Sequence, residues 1–135
     1  MPILRWTQDL SVKIIEIDNQ HKELVNLINI LHDSMKERKE KDALRKVLND
    51  LVDYTVYHFE TEERLFRKYD YPDYLSHKKE HDDLIKRVLK ISREYERDKV
   101  VVTLDLISFL EKWLDNHIIN VDKKYISFLN SKGVV

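Results

Sequence analysis

Apolar positions recur at three- and four-residue steps along most of the chain, the period of an α-helix with one buried face. In a first stretch, from about Asp18 to Lys39, Leu24, Ile28, Leu31 and Met35 line up with His21, opposite Lys22, Glu23, Asn26 and Asn29. Asp18 stands where a capping residue is expected. A second stretch, from about Asp42 to Tyr69, aligns Leu44, Leu48, Leu51, Thr55, His58, Glu62, Leu65 and Tyr69, and stops before Pro72. The third opens near Pro72 and Asp73 and aligns His77, His81, Leu84, Val88, Ile91 and Tyr95. The fourth, from about Val100 to Leu129, aligns Ile107, Leu110, Leu114, His117 and Val121. Short polar connections such as "ERKEKD", "DYPD" and "EYERDKV" separate these stretches. Together they predict an all-α fold, an antiparallel up-down-up-down four-helix bundle forming a single domain. Residues 1–17 are expected to form an N-terminal arm, with Trp6, Ile14, Ile15 and Ile17 packed across the first helix. Residues 130–135 are expected to form a frayed tail.

Composition agrees with long helices, since the chain holds one Gly and two Pro and is 36% charged. At 135 residues it can bury a core without a staple, so any metal serves function more than folding. The 24 basic and 25 acidic residues are spread evenly and leave a net charge of −1, which offers neither a nucleic-acid groove nor a polybasic membrane anchor. Cysteine is absent, which excludes thiolate zinc sites, iron–sulfur clusters and disulfides and fits a reducing cytoplasm. Arg5, Asp9, Lys13 and Glu16 interrupt the N-terminal segment, so neither a signal peptide nor a membrane span is expected there.

The inward stripe of every helix is interrupted by a residue able to bind metal. These are His21 in the first, His58 and Glu62 in the second, His77 and His81 in the third, and His117 with Asp122 in the fourth. A histidine or carboxylate in a bundle core costs several kcal/mol, by rough reckoning, unless its polar atoms find partners. At about 1.5 Å of rise per residue, antiparallel helices bring all four sets toward one end of the bundle. His58 with Glu62, and His77 with His81, are i, i+4 pairs that project from one face. His117 and Asp122 are five apart, about 500° of helical turn and so out of line. Asp122 must then approach from the flank, or the helix must widen in a π-type bulge. His32 shares the face of His21 but lies about 16 Å along the axis and is not expected to join. Trp6, Tyr54, Tyr57, Trp113 and Tyr125 are read as packing residues, one or two of them able to hydrogen-bond a ligating histidine. "ERKEKD" is read as a solvated turn, and "ETEER" and "HKKEHDD" as wet helix faces.

The segments "IDNQHKEL", "YHFETEERLF", "SHKKEHDDL" and "WLDNHIINVDKKY" resemble, in order, the ligand segments of the hemerythrin family, particularly its single-domain bacterial members. The resemblance covers nearly the whole chain and departs at none of the seven positions. It implies two non-haem irons joined by an oxo or hydroxo bridge. His77, His81 and His117 would bind one iron and His21 and His58 the other, with Glu62 and Asp122 bridging. That set fills eleven of about twelve octahedral positions and leaves one open, beside His21 and His58. The implied function is reversible dioxygen binding for carriage, storage or delivery, with Leu114 and Ile118 forming an apolar ligand pocket. Sensing of oxygen or redox state is the alternative, as is a di-iron enzyme with peroxidase, nitric-oxide-handling or ferroxidase-like activity. A carboxylate-rich di-iron oxidase would carry Glu-x-x-His motifs. The residues three before each histidine are Asp18, Asn29, Thr55, Tyr74, Lys78 and Leu114, none of them Glu. Zinc is disfavoured because the ligands exceed one tetrahedral site and no HExxH is present. The expectation is therefore a non-enzymatic, cytoplasmic monomer that passes oxygen to a protein partner; a sensor would carry an effector or membrane domain.

Overall fold

The structure, a computed structural model, describes residues 3–97 and 104–135. Four long helices carry the fold: α1 (Ile15–Lys36), α2 (Lys41–Tyr69), α3 (Tyr74–Glu96) and α4 (Leu104–Asn120), followed by a short α5 (Ile126–Ser131). The described residues contain no strand. α1 packs against α2 and α4, and α2 against α3. This is the antiparallel four-helix bundle that the apolar periodicity predicts, with Leu24, Ile28, Leu31, Leu48, Leu51, Leu84, Val88, Ile107 and Leu110 in its core. The expected beginning of the fourth helix at Val100 lies outside the described residues. None of the described helices is long and apolar enough to cross a membrane.

Several boundaries differ from expectation for identifiable reasons. α1 begins at Ile15, three residues early, and Asp18 lies inside its first turn. The Asp18 carboxylate accepts hydrogen bonds from the Ser11 hydroxyl at 2.6 Å and the Val12 amide at 2.8 Å. It therefore fastens the arm to the helix instead of capping the helix. The rest of the arm packs as expected through Ile14 and Ile17, but Ile15 points to solvent at 71% exposure. Asn29 is not on a wet face: it exchanges two hydrogen bonds with the backbone of Leu4, at 2.8 and 3.1 Å. Asp18→Ala is expected to release the arm and lower stability by about 2 kcal/mol, because hydrogen bonds to a charged acceptor are lost. Urea unfolding at neutral pH measures it, and an unchanged midpoint would refute the clamp.

α2 ends where Asp70 adopts a left-handed φ of 54° and its amide bonds the Phe66 carbonyl, so the chain turns into Pro72. At the other terminus the chain is fastened, not frayed. Gly133 takes φ +85°, a left-handed conformation that residues with a side chain rarely adopt, and the Val134 amide reaches the Leu129 carbonyl at 3.0 Å. The Asn130 side chain donates to the carbonyls of Val134 and Lys13, tying the tail to the arm.

Candidate metal centre

All seven candidate side chains converge in the core, each exposed by 2% or less. The helical period explains six of them, since His58 and Glu62 on α2 and His77 and His81 on α3 project from one face at i, i+4, while His21 and His117 enter from α1 and α4. Asp122 needs a break. α4 stops at Asn120, Val121 is stretched to φ −117° and ψ −56° while its amide still bonds the His117 carbonyl, and residues Asp122–Tyr125 tighten into a 3₁₀ turn. Of the two routes considered for Asp122, the π-type widening is absent among the described residues: the helix ends and overwinds, which brings Asp122 inward to 0% exposure.

The atoms form two overlapping groups. Glu62, His77, His81, His117 and Asp122 each offer a ligand atom within 4.8 Å of the others, and so do His21, His58, Glu62 and Asp122. Glu62 and Asp122 belong to both. One Glu62 oxygen lies 3.2 Å from His58 Nε2 and 3.4 Å from His81 Nε2. Asp122 Oδ1 lies 3.0 Å from both His77 Nε2 and His117 Nε2, and its Oδ2 lies 3.2 Å from His21 Nε2. Despite this crowding, His21 Nε2, His77 Nε2, Glu62 Oε1 and both Asp122 oxygens are buried without a well-formed hydrogen bond. Each such orphan costs about 1–3 kcal/mol. Convergent lone pairs of imidazole and carboxylate that cannot satisfy one another are what a transition-metal ion would satisfy. The arrangement is one that could hold metal ions.

Electrostatics bears the same mark. Burial and the neighbouring Asp122 disfavour ionisation of Glu62, yet His58 and His81 hold its carboxyl below the ordinary range. Burial opposes the Asp122 charge too, and His117, His21 and His77 outweigh it. Burial works against protonated His81, but hydrogen bonds to Glu62 and Glu63 hold the imidazole up at about 9. His117 is raised as well, burial being outweighed by Asp122, whereas burial pushes His58 down.

Around these groups stands a layer that the apolar pattern only partly announces. The Tyr125 hydroxyl, fully buried, donates to Glu62 Oε2 at 2.6 Å; it holds a carboxylate, not a histidine. Phe59 stacks on His81 with centroids 3.7 Å apart, and Trp113 stacks on His117 at 4.5 Å. Gln20 Oε1 lies 2.7 Å from His58 Nδ1, and Glu63 Oε2 lies 3.0 Å from His81 Nδ1. "ETEER" is accordingly not a uniformly wet face: Thr61 and Glu63 are 5% and 8% exposed. The missed signal is spacing. Ile17, Gln20 and Leu24 keep core steps on α1, as do Phe59, Glu63 and Phe66 on α2. Leu114 and Ile118 are buried, and Leu114, Leu24, Phe59 and Trp113 border an apolar cavity of about 40 Å³. His32 stays outside both groups, half-buried and 3.7 Å from Asp33.

Comparison with known proteins agrees with this geometry. Residues 12–129 match the Hemerythrin HHE cation binding domain. The chain is 40% identical over 126 residues to a bacteriohemerythrin of Pseudomonas paraeruginosa, covering 93% of this chain and 81% of that one. It is 33% identical to the bacteriohemerythrin of Methylococcus capsulatus, covering 93% and 95%. A wild-type hemerythrin crystal structure superposes with a TM-score of 0.90 at 33% identity, covering 94% of this chain and 98% of that one.

Proposed function

The chain belongs to the hemerythrin family, and on that premise we propose that it binds dioxygen reversibly at a non-haem di-iron centre. Two overlapping ligand groups that share Glu62 and Asp122 support this reading most directly. His77, His81 and His117 would hold one iron, His21 and His58 the other, and the two carboxylates would bridge them. When bound, the irons would supply reversible electron exchange with dioxygen. The protein's own side chains do the rest. Three imidazoles on one side and two on the other would leave room for one small ligand on the side of His21 and His58. Tyr125 fixes the second Glu62 oxygen, and its hydroxyl proton is held there because burial and the Glu62 charge push its pKa well above 10. Leu114 and Ile118 exclude water, so that oxygen is released and not consumed; this favours carriage or delivery over catalysis. The absence of cysteine fits a cytoplasmic protein, and we take it to act as a monomer that passes oxygen to a protein partner.

Anaerobic reduction with metal analysis, followed by cycles of air and its removal, tests the proposal. Two irons per chain and a ligand-to-iron absorption band that comes and goes with air are expected. Irreversible oxidation with turnover of a substrate would indicate an enzyme, and a single zinc would overturn the iron centre. Leu114→Ser is expected to raise the autoxidation rate about tenfold by admitting water, a difference of about 1.4 kcal/mol in barrier. An unchanged rate would remove Leu114 from the pocket.

A further inference from the structure

Two imidazoles of the centre have a side-chain acceptor within hydrogen-bond distance of the nitrogen that faces away from it, and the two acceptors differ in charge; Glu80 stands farther off, 3.7 Å from His117 Nδ1. His58 Nδ1 meets the neutral amide of Gln20 at 2.7 Å, and His81 Nδ1 meets the carboxylate of Glu63 at 3.0 Å. The orientation of the Gln20 amide follows from its other neighbour. Thr61 commits its hydroxyl proton to the Tyr57 carbonyl at 3.1 Å, so its oxygen can only accept from Gln20 Nε2, 3.2 Å away. Gln20 Oε1 must then face His58, and His58 Nδ1 must carry the proton. That leaves the His58 Nε2 lone pair directed into the site, 3.2 Å from Glu62. On the other side Glu63, 8% exposed, turns its second oxygen toward Lys78 Nζ at 3.9 Å near the rim.

A full negative charge on the remote N–H draws the proton and makes the imidazole a stronger donor; an amide oxygen orients the ring with little added donation. Stronger donation favours the higher oxidation state of a bound metal and lowers its reduction potential. Taking the di-iron reading above as its basis, we infer that Gln20 and Glu63 are opposed positioning residues. Gln20 keeps the two-histidine iron electron-poor and ferrous-favouring, and Glu63 makes the three-histidine iron electron-rich. The iron beside the vacancy is thereby the one that more readily regains the ferrous form, the form that takes up dioxygen.

The test exchanges the charges in the full-length chain with Gln20→Glu and Glu63→Gln, and adds Gln20→Leu. Iron-loaded proteins are titrated potentiometrically under argon with mediators, alongside circular dichroism. Gln20→Glu is expected to shift one ferric/ferrous equilibrium at least tenfold toward ferric, about 59 mV for a one-electron couple. Glu63→Gln is expected to shift the other iron in the opposite sense. Gln20→Leu, which frees the ring, is expected to weaken metal binding on its side roughly 10- to 100-fold. Potentials that stay in place, or that move in the same sense in both charge variants, overturn the inference. ¹⁵N NMR of the metal-free wild-type chain is expected to show neutral His58 protonated on Nδ1; a proton on Nε2 also overturns it. A wild-type chain that takes up no iron ends the oxygen-binding reading by itself, and the charge inference falls with it.

Discussion

Asp122→Ala is expected to abolish metal binding in both halves of the centre at once. Asp122 contributes to both ligand groups, and its two oxygens face different sides, Oδ1 toward His77 and His117 and Oδ2 toward His21. A substitution at His21 or His117 removes a donor from one group only. Loss of the shared carboxylate removes a donor from each proposed iron together with one of the two bridges that hold them at a fixed separation. Second-layer partners of metal ligands are worth about 10- to 100-fold in affinity, so a bridging ligand should be worth more than about 100-fold. The metal-free chain should suffer as well. With the carboxylate gone, His77 and His117 retain buried nitrogens with no anion within 3 Å, and breaking a buried pair from one side costs about 3–5 kcal/mol. Asp115→Ala, at an exposed position on α4, serves as the control and should leave both properties unchanged. Iron analysis after desalting, paired with thermal unfolding of the metal-free protein, gives the answer. Retention of two irons by Asp122→Ala would refute the bridging role.

Asp122 also marks the boundary of what the sequence makes legible. Helical periodicity identified the four helices and brought six of the seven candidate positions into line, because burying one face in every 3.6 residues leaves a strong imprint on residue choice. A polar residue on that imprint is conspicuous, and His21, His58, Glu62, His77, His81 and His117 stand out for that reason. Asp122 does not fit a continuous helix, and nothing in "HIINVDKKY" announces the break: no Gly or Pro interrupts α4. Tyr125 and Leu129, both fully buried beyond the break, show tertiary packing deciding the backbone where local propensity would have continued the helix. Gln20 and Glu63 were obscured for another reason. Each neighbours a stronger candidate and belongs to a residue type that is mostly exposed, so its core spacing was outweighed by composition. The start of α1 and the tie between tail and arm depend on Asp18 and Asn130, whose partners Ser11, Val12 and Lys13 lie in the arm and are met only once the chain has folded.

The metal-free protein and its metal affinity should respond to pH in opposite directions above neutrality. His81 is raised from 6.5 to about 9 in the fold. Its contribution to stability is therefore complete below 6.5 and is lost as pH rises through 9, amounting to about 3 kcal/mol in total. His117 is raised and acts in the same sense. His58 is lowered, so its contribution is complete above 6.5 and declines as pH falls below it. Glu62 and Asp122 are both held low, so they stabilise the fold above the ordinary carboxylate range and cease to do so in acid. The metal-free chain should accordingly be most stable near pH 6.5 and weaken on either side. Metal binding runs the other way across the upper limb. A metal ion must displace the proton that His81 and His117 carry in the empty fold, so loading releases protons and apparent affinity rises with pH until about 9. Thermal unfolding of the metal-free chain and competitive metal titration, both between pH 5 and 9, should yield curves that cross. Stability that does not fall and affinity that does not rise above pH 6.5 would mean that the imidazoles are neutral in the metal-free chain, and that the carboxylates do not hold protons there for a metal to replace.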